Sequence, residues 1–123
     1  MQILLIDDSA LVRFRLSELL AELDHVEVVG QATTIAEATA AIPTLQPDVV
    51  LLDLLLPDGN GIAVLETAKG LASPPIVGVL TNYPSEQFRA RCLAAGADFF
   101  LDKSKQFEEI PVILRQLEQG RTR

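Results

Sequence analysis

Residues 3–10, ILLIDDSA, place two aspartates directly after four consecutive aliphatic residues. The aliphatic run lacks the polar alternation of a half-exposed strand, so it predicts a central strand that is buried on both faces. Adjacent carboxylates at about 4 Å repel each other by roughly 4 kcal/mol when the effective dielectric is about 20. The stretch therefore predicts a buried strand whose end presents Asp7 and Asp8 to a compensating group such as a cation.

Similar apolar runs recur along the chain and alternate with helical patterns. Four more strands are predicted, at residues 26–32, 49–52, 76–80 and 98–102. Apolar residues at helical spacing lie between and after these strands; Ser9 can cap the first helix, whereas Pro43 should kink the second helix or end it early. The alternation predicts an α/β fold, in which a parallel sheet is covered by helices on both faces.

Composition limits the classes of protein that this chain can represent. Its 123 residues and 49% hydrophobic content suit one domain, predicted over residues 1–120, followed by a short basic tail at residues 121–123. A net charge of -7 predicts no nucleic-acid partner, and no apolar stretch approaches the roughly 18 residues of a membrane span. The single Cys92 excludes an internal disulfide, and His25 has no cysteine partner at zinc-ligand spacing. We therefore expect a cytoplasmic protein without a membrane partner.

Polar side chains follow four of the predicted strands at the point where each strand ends. Asp7 and Asp8 follow the first strand, Asp53 the third, Thr81 the fourth and Lys103 the fifth. Because ligands of open parallel sheets bind beyond the carboxyl ends of the strands, these side chains should form one site. Taken singly, they allow plainer interpretations: Asp8 as a helix cap, Thr81 as the start of a turn, and Lys103 as a solvated surface charge. Asp53 lies among apolar residues, where a carboxylate needs a partner.

Three carboxylates and one ammonium group suit a hard divalent cation. Mg²⁺ prefers oxygen ligands, and its charge together with that of Lys103 would balance the three acids. A carboxylate in such a site can attack a phosphoryl group and form an aspartyl phosphate. Asp53, on the central strand, is the best placed nucleophile. Asp7 and Asp8 are better placed as metal ligands, while the Thr81 hydroxyl can donate to one phosphoryl oxygen and Lys103 can pair with another.

Four segments in this order, LLIDDS, VVLLDLLLPDGNG, VGVLTNYP and GADFFLDKS, make the chain resemble the receiver domain of two-component response regulators. The resemblance covers nearly the whole chain. It implies a flavodoxin-like, doubly wound parallel sheet of five strands in the order 2-1-3-4-5, with five helices. It also implies Asp53 as the phosphoacceptor, and Asp7, Asp8, Asp53 and the backbone carbonyl of Leu55 as ligands of Mg²⁺, or of Mn²⁺ in its place. The implied phosphoryl donor is a histidine kinase or a histidine phosphotransfer protein.

The same resemblance implies a conformational switch. Phe100, three residues before Lys103, matches the family's aromatic switch position, and Thr81 would move toward the phosphoryl group as that ring turns inward. The face formed by the fourth helix, fifth strand and fifth helix would then bind a downstream protein or a second copy of the chain. The plainer alternative is that Phe100 is an edge-strand aromatic packed on the last helix.

Several positions depart from the family pattern. Ser104 follows Lys103, where most receivers have a proline after a cis peptide bond, so the resemblance does not fix the loop there. Asn82 replaces the small residue that usually follows the threonine. Leu55 and Tyr83 occupy the positions that tune phosphate lifetime in the family. Because neither side chain orients water well, we expect slow autodephosphorylation.

Two other classes of function stay open beside the phosphoryl-accepting module. One is a scaffold on the same fold that binds its partner without phosphorylation. The other is a small Mg²⁺-dependent phosphohydrolase with Asp53 as nucleophile, against which stand the lack of a cap domain and the apolar Leu55 two residues after the nucleophile. On the favoured interpretation the chain is not an enzyme, beyond its own phosphorylation and dephosphorylation.

Overall fold

The computed structural model describes residues 1–121 and contains one five-stranded parallel sheet. Its strands are β1 (Gln2–Ile6), β2 (Glu27–Ala32), β3 (Val49–Asp53), β4 (Ile76–Thr81) and β5 (Phe99–Asp102). They lie in the order β2-β1-β3-β4-β5, which confirms the predicted flavodoxin-like topology. A short antiparallel hairpin, Leu55–Leu56 with Gly59–Asn60, follows β3 and was not predicted. The predicted extent of the domain stays a prediction, and residues 122–123 of the predicted tail lie outside the described residues.

Five α-helices connect or follow the strands, as predicted. They are α1 (Ala10–Ala21), α2 (Ile35–Leu45), α3 (Ile62–Lys69), α4 (Glu86–Ala94) and α5 (Ile110–Arg121), the last preceded by a 3-10 turn at Phe107–Glu109. Ser9 caps α1 as expected, since its hydroxyl oxygen accepts the N–H of Val12 at 3.2 Å. Within residues 1–121, no helix combines the length and apolar character that crossing a bilayer requires.

The second helix corrects one expectation about proline. Pro43 was expected to kink α2 or end it early; the helix continues to Leu45, so the early end is wrong, and the kink stays a prediction. Pro43 lies close to the end of the helix, so its missing N–H removes only one late intrahelical bond. Ala38 and Ile42 are fully buried on the same helix, and their packing on the sheet stabilises the last turn.

Two hydrophobic clusters lie on opposite faces of the sheet. The first includes Cys92 and Phe100 and is covered by α2, α3 and α4, whereas the second includes Ile110 and is covered by α1 and α5. Every residue of β3 is buried, as expected for a central strand. Phe99 and Phe100 are consecutive residues of β5 and therefore point into different clusters.

Candidate functional site

Three carboxylates meet at the carboxyl ends of β1 and β3. These neighbouring strands pair Ile6 with Leu52, so the residues that follow, Asp7 and Asp53, lie at the same level of the sheet. One carboxylate oxygen from each of Asp7, Asp8 and Asp53 lies within 4.8 Å of the other two. Asp7 is 2% exposed and Asp53 is 8% exposed, whereas Asp8 is open to solvent. The predicted acidic cluster is therefore brought together by the fold.

Lys103 reaches this cluster from the end of β5. Its ammonium group lies 3.1 Å from Oδ2 of Asp53 and donates a hydrogen bond to Oδ2 of Asp7. The Lys103 side chain is only 6% exposed, so the alternative that it is a solvated surface charge is wrong. One cation thus pairs with two buried carboxylates, as buried charges require.

The carboxylate of Asp53 is held from two sides. Oδ1 accepts the backbone N–H of Leu55 at 3.1 Å, and Oδ2 faces Lys103. Burial raises the pKa of Asp53, and this effect exceeds the opposing influence of the Lys103 charge and the Leu55 N–H. The central acid is therefore more basic than an ordinary aspartate, which favours its use as a nucleophile once it is ionised.

The plainer interpretation of Asp8 as a helix cap is wrong, whereas that of Thr81 as the start of a turn is confirmed. The N-terminal cap of α1 is Ser9, so the alternative that Asp8 caps this helix is wrong. The hydroxyl oxygen of Thr81 accepts the N–H of Tyr83 at 3.0 Å, so Thr81 does begin a turn. Its hydroxyl hydrogen is a separate donor. Thr81 follows Leu80, the β4 partner of Asp53, and so lies next to the acid in register.

The loop after Lys103 is built around Asp102. The Lys103–Ser104 peptide is trans, as is every other peptide bond among the described residues. Oδ1 of Asp102 accepts the N–H of Ser104 at 2.9 Å and its hydroxyl at 2.7 Å. The carbonyl of Asp102 accepts the N–H of Gln106 at 2.8 Å, whose side-chain oxygen accepts the N–H of Asp102 at 3.0 Å. These bonds shape the loop that follows Lys103.

Phe100 packs inward from β5. It is buried in the cluster covered by α2, α3 and α4, while Ile110 and Leu114 of α5 belong to the other cluster. The alternative that Phe100 packs on the last helix is therefore wrong, because the ring and α5 lie on opposite faces of the sheet. Phe100 also lines a cavity of about 270 Å³ beside the start of α4. This space beside the ring is compatible with a change of rotamer, but the switch role stays a prediction.

Comparison with known proteins agrees with this geometry. A family model described as the response regulator receiver domain matches residues 3–115. The chain belongs to this family. The DNA-binding transcriptional activator DevR/DosR of Mycobacterium tuberculosis is 33% identical over 121 residues, covering 98% of this chain and 56% of that protein. Response regulator protein VraR of Staphylococcus aureus is 31% identical over 120 residues, covering 97% of this chain and 57% of that protein.

Solved receiver structures share the fold. The signal receiver domain of NarL from Mycobacterium tuberculosis has a TM-score of 0.83 and 28% identity, with 95% of each chain covered. The response regulator domain of CheB from Thermotoga maritima has a TM-score of 0.82 and 28% identity, covering 97% of this chain and 94% of that one.

The relatives also limit one prediction about partners. This receiver spans about half the length of the curated relatives it matches. One of them is named as a DNA-binding activator. The expectation of no nucleic-acid partner came from the charge of this chain alone, and the relatives give it no support.

The residues around the acids form the rim of the receiver site. Leu55 is 45% exposed and Tyr83 is 65% exposed, so both predicted lifetime positions lie at the surface. Asn82 is exposed and lines, with Lys103, a cavity of about 640 Å³ between α1 and the 3-10 turn that precedes α5. The rim of the site is therefore open to solvent, and the effect of these side chains on phosphate lifetime stays a prediction.

The donor set of this receiver fits Mg²⁺. Three carboxylates converge within 4.8 Å, and such hard oxygen ligands are the ones that Mg²⁺ prefers. Both oxygens of Asp7 already accept hydrogen bonds, Oδ1 from the N–H of Ser9 at 2.9 Å and Oδ2 from Lys103. Asp8 is the exposed member, so a hydrated cation would approach from its side. The Leu55 carbonyl as a further ligand stays a prediction.

Two residues of the site were missed by reasoning from the sequence. Nη1 of Arg13 donates to the Asp7 carbonyl at 2.6 Å. The Asp58 carboxylate, in the hairpin turn, accepts the N–H groups of Ile35 at 2.8 Å and Ala36 at 3.1 Å. Asp58 is separated from Ile35 by 23 positions, and no local pattern signals such a contact. An arginine in the first turn of the helix that follows the acidic pair was a weak signal for Arg13.

Proposed function

We propose that this receiver accepts a phosphoryl group on Asp53 from a histidine kinase or a histidine phosphotransfer protein. The observation that carries the proposal is the cluster of three acids with Lys103 between Asp7 and Asp53. Burial raises the pKa of Asp53, which shares Lys103 with Asp7 and lies beside the exposed rim. Family membership supports the same assignment.

In the proposed reaction, a carboxylate oxygen of Asp53 attacks the phosphorus atom of a phosphohistidine. The new P–O bond forms as the P–N bond breaks, and the released imidazole nitrogen takes up a proton from solvent. Lys103 already lies 3.1 Å from Asp53, where its ammonium group can pair with a phosphoryl oxygen. The Thr81 hydroxyl can donate to another.

Asp7, Asp8 and Asp53 would hold Mg²⁺ or Mn²⁺, together with the carbonyl of Leu55. When bound, the divalent ion offsets the negative charge of the acids and of the incoming phosphoryl group. The positive charge of Lys103 reduces the repulsion between the Asp7 and Asp53 carboxylates in the pocket. The chain's own reactions are thus limited to gain and loss of this phosphoryl group.

The proposed output surface is the α4-β5-α5 face. Phe100 joins it to the site, because this ring lines the cavity beside α4 and is three residues from Lys103. In the phosphorylated state Thr81 would turn toward the phosphoryl group, and Phe100, whose ring is already buried, would keep its inward position. A downstream protein, or a second copy of the receiver, would bind the altered face. We expect these events in the cytoplasm, where histidine kinases deliver their phosphoryl groups.

The test is an intact-mass measurement. The purified protein is incubated with Mg²⁺ and acetyl phosphate, and its mass is compared with that of Asp53→Asn under the same conditions. The expected result is the mass gain of one phosphoryl group in the native chain and none in the variant. A gain that persists in Asp53→Asn would refute Asp53 as acceptor.

The same experiment separates the alternative functions. No mass gain from acetyl phosphate or from a phosphorylated kinase would favour a scaffold that works without phosphorylation. Steady release of phosphate from assorted phosphate esters would favour a phosphohydrolase. The open rim formed by Leu55 and Tyr83 gives a small ester little enclosure, which argues against the hydrolase.

A further inference from the structure

Arg13 on α1 connects the acidic pair to the neighbouring strand. Its Nη1 donates to the carbonyl of Asp7 at 2.6 Å, and its Nε donates to Oε1 of Gln31 on β2 at 2.8 Å. The bond to Asp7 is partly buried. The planar guanidinium group is therefore held by β2 through one donor and binds the backbone of Asp7, a predicted metal ligand, through another.

The backbone group that Arg13 holds lies between the two acids. The carbonyl of Asp7 and the N–H of Asp8 belong to one planar peptide unit. On the other side of Asp7, its N–H donates to the carbonyl of Ala32 at 3.0 Å. Fixing the carbonyl therefore fixes the orientation of the peptide plane, and with it the direction in which the exposed Asp8 carboxylate leaves the chain.

We infer that Arg13 is a positioning residue, which sets the Asp7–Asp8 peptide plane so that both carboxylates point into one cation pocket, with Gln31 holding its guanidinium group in place. The inference rests on the proposed Mg²⁺ site. Arg13 itself contacts no reacting atom. Its contribution is geometric, because a positive charge beside the acids would by itself repel a divalent cation.

The charge of Arg13 and its positioning role are expected to change Mg²⁺ affinity in opposite directions, which allows a test. If Arg13 acts only through its charge, removal of the charge in Arg13→Ala strengthens Mg²⁺ binding, while Arg13→Lys and Gln31→Ala leave it unchanged. If Arg13 positions the peptide plane, all three variants bind Mg²⁺ more weakly. Lysine keeps the charge but lacks the planar fork that reaches two acceptors.

The experiment titrates MgCl₂ into ¹⁵N-labelled protein and follows the amide resonances of residues 7–9 and 53–56. We expect roughly tenfold weaker Mg²⁺ binding in Arg13→Lys, the lower end for loss of a group that orients a metal ligand. Gln31→Ala should weaken binding less, in the same direction. Arg15→Ala, which removes an exposed charge from the same helix, is the control and should leave the affinity within twofold of the native value.

Melting temperatures without Mg²⁺ separate positioning from folding. Unchanged Mg²⁺ affinity in Arg13→Lys, or tighter binding in Arg13→Ala, would overturn the inference, as would a lower melting temperature with native Mg²⁺ affinity. Phosphorylation of the native chain is measured separately by intact mass. If the native protein binds Mg²⁺ but takes no phosphoryl group, the proposed function fails. The role of Arg13 is then still decided by the Mg²⁺ titration.

Discussion

Replacing Lys103 by methionine should destabilise the protein, and Mg²⁺ should reverse part of the loss. At 3.1 Å and an effective dielectric of about 20, the attraction between Lys103 and Asp53 alone is about 5 kcal/mol before desolvation is counted. Removing one partner of a buried ion pair costs about 3–5 kcal/mol, because the other charge is left buried. Water can enter beside the exposed Asp8, so we expect the lower end, about 3 kcal/mol or roughly 12 °C in melting temperature.

The measurement is urea unfolding followed by circular dichroism, in EDTA and in saturating MgCl₂. The difference between Lys103→Met and the native protein should be largest in EDTA and shrink with Mg²⁺, since the cation replaces part of the lost positive charge. Lys105→Met, an exposed lysine in the same loop, is the matched control and should change stability by less than about 0.5 kcal/mol. Equal stability of Lys103→Met and the native protein in EDTA would refute the assignment of Lys103 as the counter-charge.

Three further predictions concern the surroundings of the site. Backbone N–H groups at the start of α2 donate hydrogen bonds to Asp58 and lower its pKa from 3.8, and the bond from Ile35 has the largest effect. Asp58→Ala should therefore lower the melting temperature at neutral pH. That difference should shrink as pH falls below 3.8 and through the lower folded-state pKa; an equal difference at both pH values would contradict it. Gly78→Ala places a methyl group 2.1 Å from the Phe99 ring and should cost about 1–3 kcal/mol in urea unfolding, partly recovered by Phe99→Leu. Tyr83→Glu should shorten the lifetime of the phosphorylated protein several-fold in a mass time course, because a carboxylate can orient attacking water; an unchanged decay would contradict this.

The sheet and the acidic cluster were predictable because their signals are local. Each central strand is an aliphatic run that Asp7, Asp53 or Thr81 directly follows, and Lys103 follows the last strand after Asp102. Parallel strands bring their carboxyl ends to one edge, so Asp7, Asp53 and Lys103 meet without any further information from the sequence. The contact between Lys103 and Asp7 spans 96 positions and still follows from this topology.

The missed features depend on tertiary packing. Pro43 looked like a helix terminator, but buried neighbours such as Ile42 keep α2 intact. The contact of Asp58 with Ile35 depends on where the hairpin lies against α2, which no periodic pattern records. Arg13 lies on a helix with exposed residues of both signs, so its bond to the Asp7 backbone could not be distinguished from ordinary surface solvation.

The residues that join β2 to α2 include no acidic side chain, yet they form hydrogen bonds with both loops of the site. Ala32 and Gln31 hold the turn after β1, and the first residues of α2 hold Asp58 in the hairpin after β3. Chimeras that exchange this junction between related receivers will therefore disturb cation binding and acceptor geometry together, even when every acid is retained. Engineering of new signalling specificity in this domain should leave residues 31–36 native, or transplant them together with Arg13 and Asp58.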